Sequence, residues 1–302
     1  MSLERLLARL GLPASLAERL RELGIHAPEA LALLSPAELS RLLGVNEETA
    51  GRLIREALAE LGEAVRLSEA LAPAQPAYVT TGVPSLDRLL GGGLRRGMLV
   101  EIAGEPGSGK TQLCHQLCVT VQLPPEEGGL GAGAVYIDTE GSFHPGRLLR
   151  IAARFSMGRE VLRRVLHARA HSFAQLYALV LEASRLVGDH PLVIVDNIAS
   201  PLRAEYAGDP SARRWALLKL LQALRQLASQ EAVVVATNQV VADPETGELT
   251  PVGGSLTLQM VDARVVLRRL PADLRAARLE HAVDMPPGEA RFRITDEGVV
   301  EC

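Results

Sequence analysis

Short runs of consecutive apolar residues alternate with longer stretches of helical periodicity over most of the chain. Strands of a parallel sheet are covered on both faces, so they are written as continuous apolar segments. Four such runs predict buried parallel strands over 98–103, 134–138, 192–196 and 232–237. The segments between them predict helices over 111–121, 146–155, 173–187 and 211–229. This order predicts an α/β fold in which a mostly parallel, twisted sheet lies between helices.

The two ends of the chain follow other patterns. Residues 1–66 carry apolar positions at helical spacing, with Ser35 and Asn46 as N-cap signals, and predict a small all-α domain. Residues 67–79 are rich in Ala and Pro and predict a linker. The pattern of alternating strands and helices then occupies 80–302. Near its end, alternating segments predict antiparallel strands over 264–269, 278–283 and 289–295.

Composition narrows the class of protein. The 302 residues are 47% hydrophobic and 23% charged, and no apolar run approaches the roughly 20 residues of a membrane span. The three cysteines offer no disulfide framework, so we expect an intracellular protein with no membrane association. The net charge of −4 excludes a polycation, and any nucleic-acid contact must come from a local cluster of cations. Lysine is nearly absent, since only Lys110 and Lys219 occur.

A glycine-rich segment at 104–111 matches the phosphate-loop pattern GxxxxGK[ST]. It follows an apolar run and opens a predicted helix, which is the context that this motif requires. Backbone N–H groups of such a loop surround phosphates, and the helix N-terminus adds a favourable dipole. Lys110 is placed to reach the β- and γ-phosphates, and the Thr111 hydroxyl is placed to ligate Mg²⁺. The retention of lysine at this position supports the same interpretation.

Polar residues at the ends of other apolar runs extend this candidate site. Asp196 ends a run where a carboxylate can hold Mg²⁺. Glu140 lies just beyond another run and is placed to polarise an attacking water as a general base. Asp138 is the competing base, and either acid could instead cap the following helix. Gln239 follows the fourth run and could hydrogen-bond the γ-phosphate.

Two further clusters have structural alternatives. Cys114 and Cys118 share a helix face, but they lack further ligands and we interpret them as buried core thiols rather than a metal site. An arginine-rich strip near the C-terminus is either a duplex-DNA patch or one solvated face of a hairpin, the interpretation we adopt. It comprises Arg264, Arg268, Arg269, Arg275 and Arg278.

The motifs occur in an order and spacing that resembles the RecA/RadA recombinase family, above all its eukaryotic members and their diverged paralogues. The matching segments are TTGVPSLDRLLGGGLRRG (80–97), GEPGSGKTQLCHQL (104–117), YIDTEGSFHPGRL (136–148), LVIVDNIASPLR (192–203) and TNQV (237–240). The resemblance implies a RecA-type P-loop ATPase core that acts in homologous recombination and DNA double-strand break repair. It also implies ATP and Mg²⁺ as cofactors.

The resemblance assigns roles to individual residues. Glu140 matches the catalytic glutamate, with Lys110 and Gln239 assisting, and Thr111 with Asp196 matches the magnesium site. Nucleotide binding falls to the loop, its continuation and an arginine that matches the one stacking on adenine. These residues are Gly104, Glu105, Pro106, Gly107, Ser108, Gly109, Lys110, Thr111, Gln112 and, as the stacking arginine, Arg147.

The N-terminal segment is similar to the family's helix-hairpin-helix domain. Pro13 and Asn46 stand where the second glycine of each hairpin is expected, and those glycines let backbone amides approach a phosphate. Residues 1–66 also hold eight Arg and ten acidic residues. We therefore expect this domain to pack or to dock partners rather than to bind DNA.

The chain departs from the family in its DNA-binding loops and its linker. The first loop, 203–214, keeps Arg203, Arg213 and Arg214, which are the candidate DNA contacts. The second loop, 242–252, carries three acidic residues and no cation, which repels phosphate. The linker has no Phe for the family's Phe-x-x-Ala polymerisation motif. Leu67-Ser68-Glu69-Ala70 is the nearest relic.

These features together predict a DNA-dependent ATPase of the recombinase-paralogue type. It would bind single-stranded DNA and assemble with related recombinase or paralogue subunits as a homo- or hetero-oligomer. The alternative, favoured by the acidic second loop, is a scaffold subunit that holds ATP and hydrolyses little. A small-molecule kinase fits poorly because no Arg-rich lid segment follows the loop. We expect a nuclear protein if the host is eukaryotic, which we favour, and a cytoplasmic one if it is archaeal.

Overall fold

The computed structural model describes residues 3–23, 25, 28–31, 34–64, 77–242 and 249–302. Its contacts divide the chain into two compact units, Met1–Pro73 and Ala74–Cys302. Most of the predicted linker 67–79 and the motif relic Leu67–Ala70 lie outside the described residues, as does most of the predicted second loop. The domain boundaries at 66 and 80 therefore stay predictions.

The first unit consists of short helices packed around leucines. Its elements are α1 (Leu3–Arg9), α2 (Ser15–Glu22), α3 (Pro28–Leu31), α4 (Pro36–Leu43) and α5 (Glu47–Ala64). Both predicted caps are present. Ser35 Oγ accepts a hydrogen bond from the Glu38 amide at 3.3 Å, and the Glu38 carboxylate accepts one from the Ser35 amide at 2.9 Å. Asn46 Oδ1 accepts from the Thr49 amide at 2.8 Å and begins α5.

The second unit alternates strands and helices. Its strands are β1 (Tyr78–Val79), β2 (Leu94–Arg95), β3 (Leu99–Gly104), β4 (Ala134–Asp138), β5 (Val165–Arg169), β6 (Leu192–Asp196), β7 (Val233–Ala242), β8 (Leu249–Pro251), β9 (Ala263–Arg269), β10 (Leu274–Ala282), β11 (Gly288–Thr295) and β12 (Gly298–Glu301). Its helices are α6 (Pro84–Leu89), α7 (Lys110–Thr120), α8 (Pro145–Arg154), α9 (Phe173–Ala183), α10 (Ala199–Glu205), α11 (Pro210–Ser229) and α12 (Gly254–Met260). Short 3-10 turns occupy Pro125–Glu127 and Arg159–Arg164.

Ten strands of the described residues form one sheet in the order β12-β11-β10-β9-β3-β7-β6-β4-β5, with β8 paired to β7. The strands from β9 to β5 in this order are parallel, and β10 to β12 are antiparallel. The predicted α/β fold with a mostly parallel sheet is therefore confirmed. The three C-terminal segments predicted as antiparallel strands correspond to β9, β10 and β11, and β10 pairs antiparallel with both of the others. The sequence did not show that β9 also pairs in parallel with β3, and β12 was not predicted.

Both faces of the sheet are covered by apolar side chains. Helices α7 and α8 pack on one face through residues such as Leu113, Leu117 and Leu148, and α9 and α11 pack on the other. Cys114 and Cys118 are fully buried among these residues, and burial raises the pKa of both thiols, as expected of core cysteines. Within the described residues there is no group of three or more His, Cys, Asp or Glu side chains that could hold a metal ion.

Helix α11 supplies much of the apolar cluster on the second face of the sheet.

In the part of the chain that the structure describes, no helix has the length and apolar character of a membrane span.

A matched pair of leucine substitutions tests this packing. Leu220 on α11 is fully buried, whereas Leu181 on α9 is 46% exposed. We expect Leu220→Ala to lower the free energy of unfolding by about 2–5 kcal/mol, because it leaves a cavity under the sheet. Leu181→Ala should change it by less than about 0.5 kcal/mol. Urea unfolding followed by circular dichroism measures both, and equal losses would contradict the assigned packing.

Candidate functional site

The predicted site residues converge because their strands are parallel neighbours. Strands β3, β7, β6 and β4 lie side by side, so their carboxyl ends meet at one edge of the sheet. In open α/β sheets this edge is where ligands bind. The glycine loop follows β3, Glu140 follows β4, Asp196 ends β6 and Gln239 lies on β7. Sequence reasoning placed each residue beyond an apolar run, and the strand order brings them together.

The glycine loop connects β3 to α7 and leaves no room for a side chain at Gly104 or Gly109. A Cβ atom on Gly104 would lie 2.5 Å from the Leu267 carbonyl oxygen. Gly109 has a φ of +111°, and a Cβ atom there would lie 2.9 Å from Ile294 Cδ1. Among the described residues, the buried Ser108 Oγ has no hydrogen-bond partner. A tight loop with an unpartnered buried hydroxyl at a helix N-terminus fits a bound phosphate chain.

Lys110 turns back onto this loop. Its Nζ donates to the carbonyl oxygens of Gly104 at 2.7 Å and Glu105 at 3.0 Å. Burial lowers the pKa of Lys110, while the carboxylates of Asp196 and Glu140 oppose that shift. The ammonium group therefore lies inside the loop, at the side of the site that the carboxylates face.

Asp196 is a buried carboxylate at the centre of the site. It is 2% exposed and accepts hydrogen bonds from four hydroxyl groups that belong to different segments. Three of them donate to Oδ2: the hydroxyls of Thr111 at 2.7 Å, Tyr136 at 2.7 Å and Ser142 at 3.1 Å. The fourth, the Thr237 hydroxyl, donates to Oδ1 at 2.5 Å. The predicted metal pair, Thr111 and Asp196, is thus in direct contact. Carboxylate and hydroxyl oxygens are the donor set that Mg²⁺ takes.

The structure separates the two candidate bases that follow β4. Asp138 accepts from the amides of residues 140, 141, 142 and 143, and so caps the turn before α8. Its pKa is lowered, because these four amides outweigh the effect of burial. Glu140 is exposed instead, and Ser200 Oγ donates to its Oε1 at 2.6 Å. The helix-capping alternative is wrong for both acids, because the N-cap of α8 is His144 without a side-chain cap. Asp138 instead closes the turn after β4, and Glu140 has a carboxylate that faces the site.

Glu140 is joined to Gln239 and through it to Arg203. Gln239 Nε2 donates to Glu140 Oε1 at 2.8 Å, and Arg203 Nη1 donates to Gln239 Oε1 at 2.7 Å. The two hydrogen-bonded pairs are 99 and 36 positions apart in sequence, and we call the three residues the Glu140–Gln239–Arg203 chain. The predicted catalytic acid, phosphate sensor and DNA contact are therefore in one line of hydrogen bonds.

Arg147, the predicted adenine-stacking residue, is held beside the start of α7. Its Nε donates to Gln112 Oε1 at 2.6 Å. Its Nη1 and Nη2 donate to the carbonyl oxygens of Asp296 at 2.6 Å and Thr295 at 2.7 Å. The structure brings Arg147 and Gln112 together, and their contact with a base stays a prediction.

The segment predicted as the first loop is mostly helical. Arg203 lies on α10, and Arg213 and Arg214 lie on α11, with only residues 206–209 between these helices. Asp209 accounts for this, since its Oδ1 accepts from the Ala212 amide at 2.9 Å and begins α11 ahead of Pro210. Arg203, Arg213 and Arg214 line one cavity of about 430 Å³ together with residues 250–256.

Sequence reasoning missed a buried charged network beneath the site. Glu101 on β3 accepts from Arg264 Nε at 2.6 Å and from Asn238 Nδ2 at 2.6 Å. Arg264 is 4% exposed, so the interpretation of the arginine strip as a solvated face is wrong for this member. Burial raises the pKa of Glu101, although the Arg264 guanidinium opposes the shift. The sequence did contain an indication of this network, because Glu101 is the only charged residue within the apolar run 98–103 and a buried charge needs a partner.

Comparison with known proteins identifies the relatives of the chain. The Rad51 family model matches residues 74–302, and the model of the SAM-like helix-hairpin-helix tandem matches residues 11–58. DNA repair protein RAD51 homolog 1 of Arabidopsis thaliana is 36% identical over 299 residues, which cover 94% of this chain and 87% of the relative. DNA repair and recombination protein RadA of Metallosphaera sedula is 38% identical over 303 residues, covering 96% of this chain and 93% of the relative.

These matches agree with the fold and with the motifs at the carboxyl edge of the sheet. Both relatives are similar to this chain over nearly its whole length. The family model alone covers the complete strand-and-helix unit from residue 74 onward. The chain therefore belongs to the Rad51 family of RecA/RadA recombinases.

Proposed function

We propose that this protein is an ATP-dependent, DNA-binding recombinase paralogue that acts in homologous recombination and DNA double-strand break repair and hydrolyses ATP. The observation that carries the proposal is the Glu140–Gln239–Arg203 chain, which joins a candidate catalytic acid to a candidate DNA contact. The names of the relatives, a DNA repair protein and a DNA repair and recombination protein, support the biological role.

Different residues at the carboxyl edge of the sheet would bind the phosphates, bind the metal ion and accept the proton during hydrolysis. When bound, Mg-ATP supplies the phosphoanhydride bond that is broken. Lys110 and the loop amides would hold the phosphates, and Thr111 with Asp196 would hold the metal. Glu140 would accept a proton from the attacking water, which requires an accessible carboxylate such as this one. Gln239, already bound to Glu140, would orient the same water or the terminal phosphate.

DNA would act on this chemistry through Arg203. The guanidinium donates to Gln239 in the structure, and a phosphate of single-stranded DNA would compete for it. Arg213 and Arg214 line the same cavity and add cations for the backbone. The two acids of the predicted loop are occupied elsewhere, since Glu205 accepts from the Phe173 amide at 2.5 Å and Asp209 caps α11. Neither Glu205 nor Asp209 lines the cavity.

The linker sequence and the family membership also bear on the partner subunits and the cell compartment of this protein. The predicted polymerisation relic lacks the Phe of the family motif, which weakens docking between copies of the chain. We infer a paralogue that works with related recombinase subunits, in the nucleus if the host is eukaryotic and in the cytoplasm if it is archaeal. The alternative is a scaffold subunit that holds ATP with little hydrolysis, which the acids of the second loop favour.

Loss of the loop lysine should remove nucleotide binding. Lys110→Ala takes away the only ammonium group near the phosphates, so we expect calorimetry to detect no heat on addition of Mg-ATP. Arg185→Ala is the control, because this exposed arginine pairs with Glu182 on α9. Normal binding by Lys110→Ala would overturn the nucleotide site.

Replacement of the candidate base should separate binding from turnover. Glu140→Gln keeps the size and the hydrogen bonds of the side chain but cannot accept a proton. We expect unchanged Mg-ATP binding and a fall in ATP turnover of about 100-fold or more, measured by phosphate release. Glu182→Gln serves as the control. A Glu140→Gln protein with normal turnover would show that another group is the base.

Stimulation by DNA distinguishes the two proposed functions. We expect single-stranded DNA to raise the turnover of the natural protein, and Arg203→Ala to lose most of this stimulation while it still binds Mg-ATP. Arg185→Ala should be stimulated as the natural protein is. Negligible turnover that DNA does not raise would support the scaffold function. Full stimulation of Arg203→Ala would show that DNA acts by another route.

A further inference from the structure

Trp215 is the only tryptophan of the chain and is 67% exposed on α11. A single exposed apolar side chain is ordinary in proteins and needs no explanation by itself. This one is flanked by cations. Arg214 is exposed beside it, and Lys219 is exposed four residues later, which places it on the same helix face. We call Arg214, Trp215 and Lys219 the α11 surface.

The charge of α11 is unusual for this chain. Its 20 residues contain Arg213, Arg214, Lys219 and Arg225 and no acidic residue, although the whole chain has a net charge of −4. Arg225 is neutralised by an ion pair with Asp262. Within the described residues, no carboxylate lies within 4 Å of the other three cations. A cluster of unpaired cations suits a polyanion.

The presence of a lysine at position 219 also favours a phosphate-containing ligand. It is one of two lysines among 32 cations, and the other is in the phosphate loop. A compact ammonium on a flexible stem contacts backbone phosphates without fixed geometry. The α11 surface is also continuous with the cavity of about 430 Å³, because Arg214 lines that cavity and belongs to the surface as well.

We propose that the α11 surface binds single-stranded DNA, with a base stacked on Trp215 and the backbone phosphates on Arg214 and Lys219. An indole beside cations is the combination by which proteins hold single strands without reading their sequence, since every base has a flat face. The proposal rests on the DNA role of Arg213 and Arg214 given above, and it extends that site from the cavity along the outer face of the helix.

Intrinsic fluorescence tests the proposal, because Trp215 is the only tryptophan. The probes are a 30-nucleotide oligothymidine and an abasic sugar-phosphate chain of the same length and charge. We expect the first to quench Trp215 and the second to leave it unchanged. Affinity is measured separately, by the anisotropy of a dye on each probe, so that it does not depend on the indole.

Variants separate stacking from charge. Trp215→Ala should bind oligothymidine about tenfold more weakly and the abasic chain as before, whereas Trp215→Phe should keep most of the affinity for oligothymidine. Lys219→Gln should weaken binding of both probes and reduce the slope of log K against log salt by about 0.7. Arg185→Gln, at a paired arginine, is the control. Circular dichroism verifies that each variant is folded.

Contrary outcomes are distinguishable. If labelled oligothymidine binds, but Trp215 is not quenched and Trp215→Ala binds equally well, this inference fails and the proposed function stands. If neither probe binds, the DNA role itself fails. If Mg-ATP without DNA changes the fluorescence and DNA adds nothing, Trp215 lies at a contact between protein subunits, and the inference is overturned.

Discussion

The site depends on the hydrogen bonds of one buried carboxylate. Asp196 would be costly to bury alone, since an ionised group loses its hydration in the protein interior. Four hydroxyl donors from the start of α7, from β4, from the turn after β4 and from β7 replace that hydration. Each donor must be correctly placed for the charge to be tolerated. The carboxylate therefore holds the ends of three strands and one helix at fixed separations.

This constraint explains why residues distant in sequence lie close together. Once the ends of β4, β6 and β7 are fixed around Asp196, Glu140 and Gln239 are within reach of each other. Asp138 contributes by capping the turn that presents Glu140. A nucleotide between the loop and these side chains would thus meet groups that are already oriented, which is the arrangement that electrostatic catalysis requires.

Much of the fold could be predicted from the sequence, because buried parallel strands leave continuous apolar runs. The site residues were predictable for the same reason, since each follows such a run. Strand β5 was not predicted, because it is an edge strand with half-exposed residues and an irregular pattern. The parallel pairing of β9 and the partner of Glu101 depend on contacts across more than 150 positions, which local pattern does not encode. The helix over 211–229 was predicted, but residues 211–214 were also assigned to the first loop, although Asp209 and Pro210 together form a start signal. Helix α10 was not predicted.

The network around Glu101 has a consequence for how this chain can diverge. Asn238 binds Glu101 and also donates to the Val252 carbonyl at 2.8 Å, and the Val252 amide donates to the Gln239 carbonyl at 2.9 Å. Strand pairing between β7 and β8 completes the stem that these contacts anchor. Substitution of Glu101 or Asn238 would therefore loosen the hold on Gln239, so divergence at these two buried positions is expected to alter the candidate site from beneath.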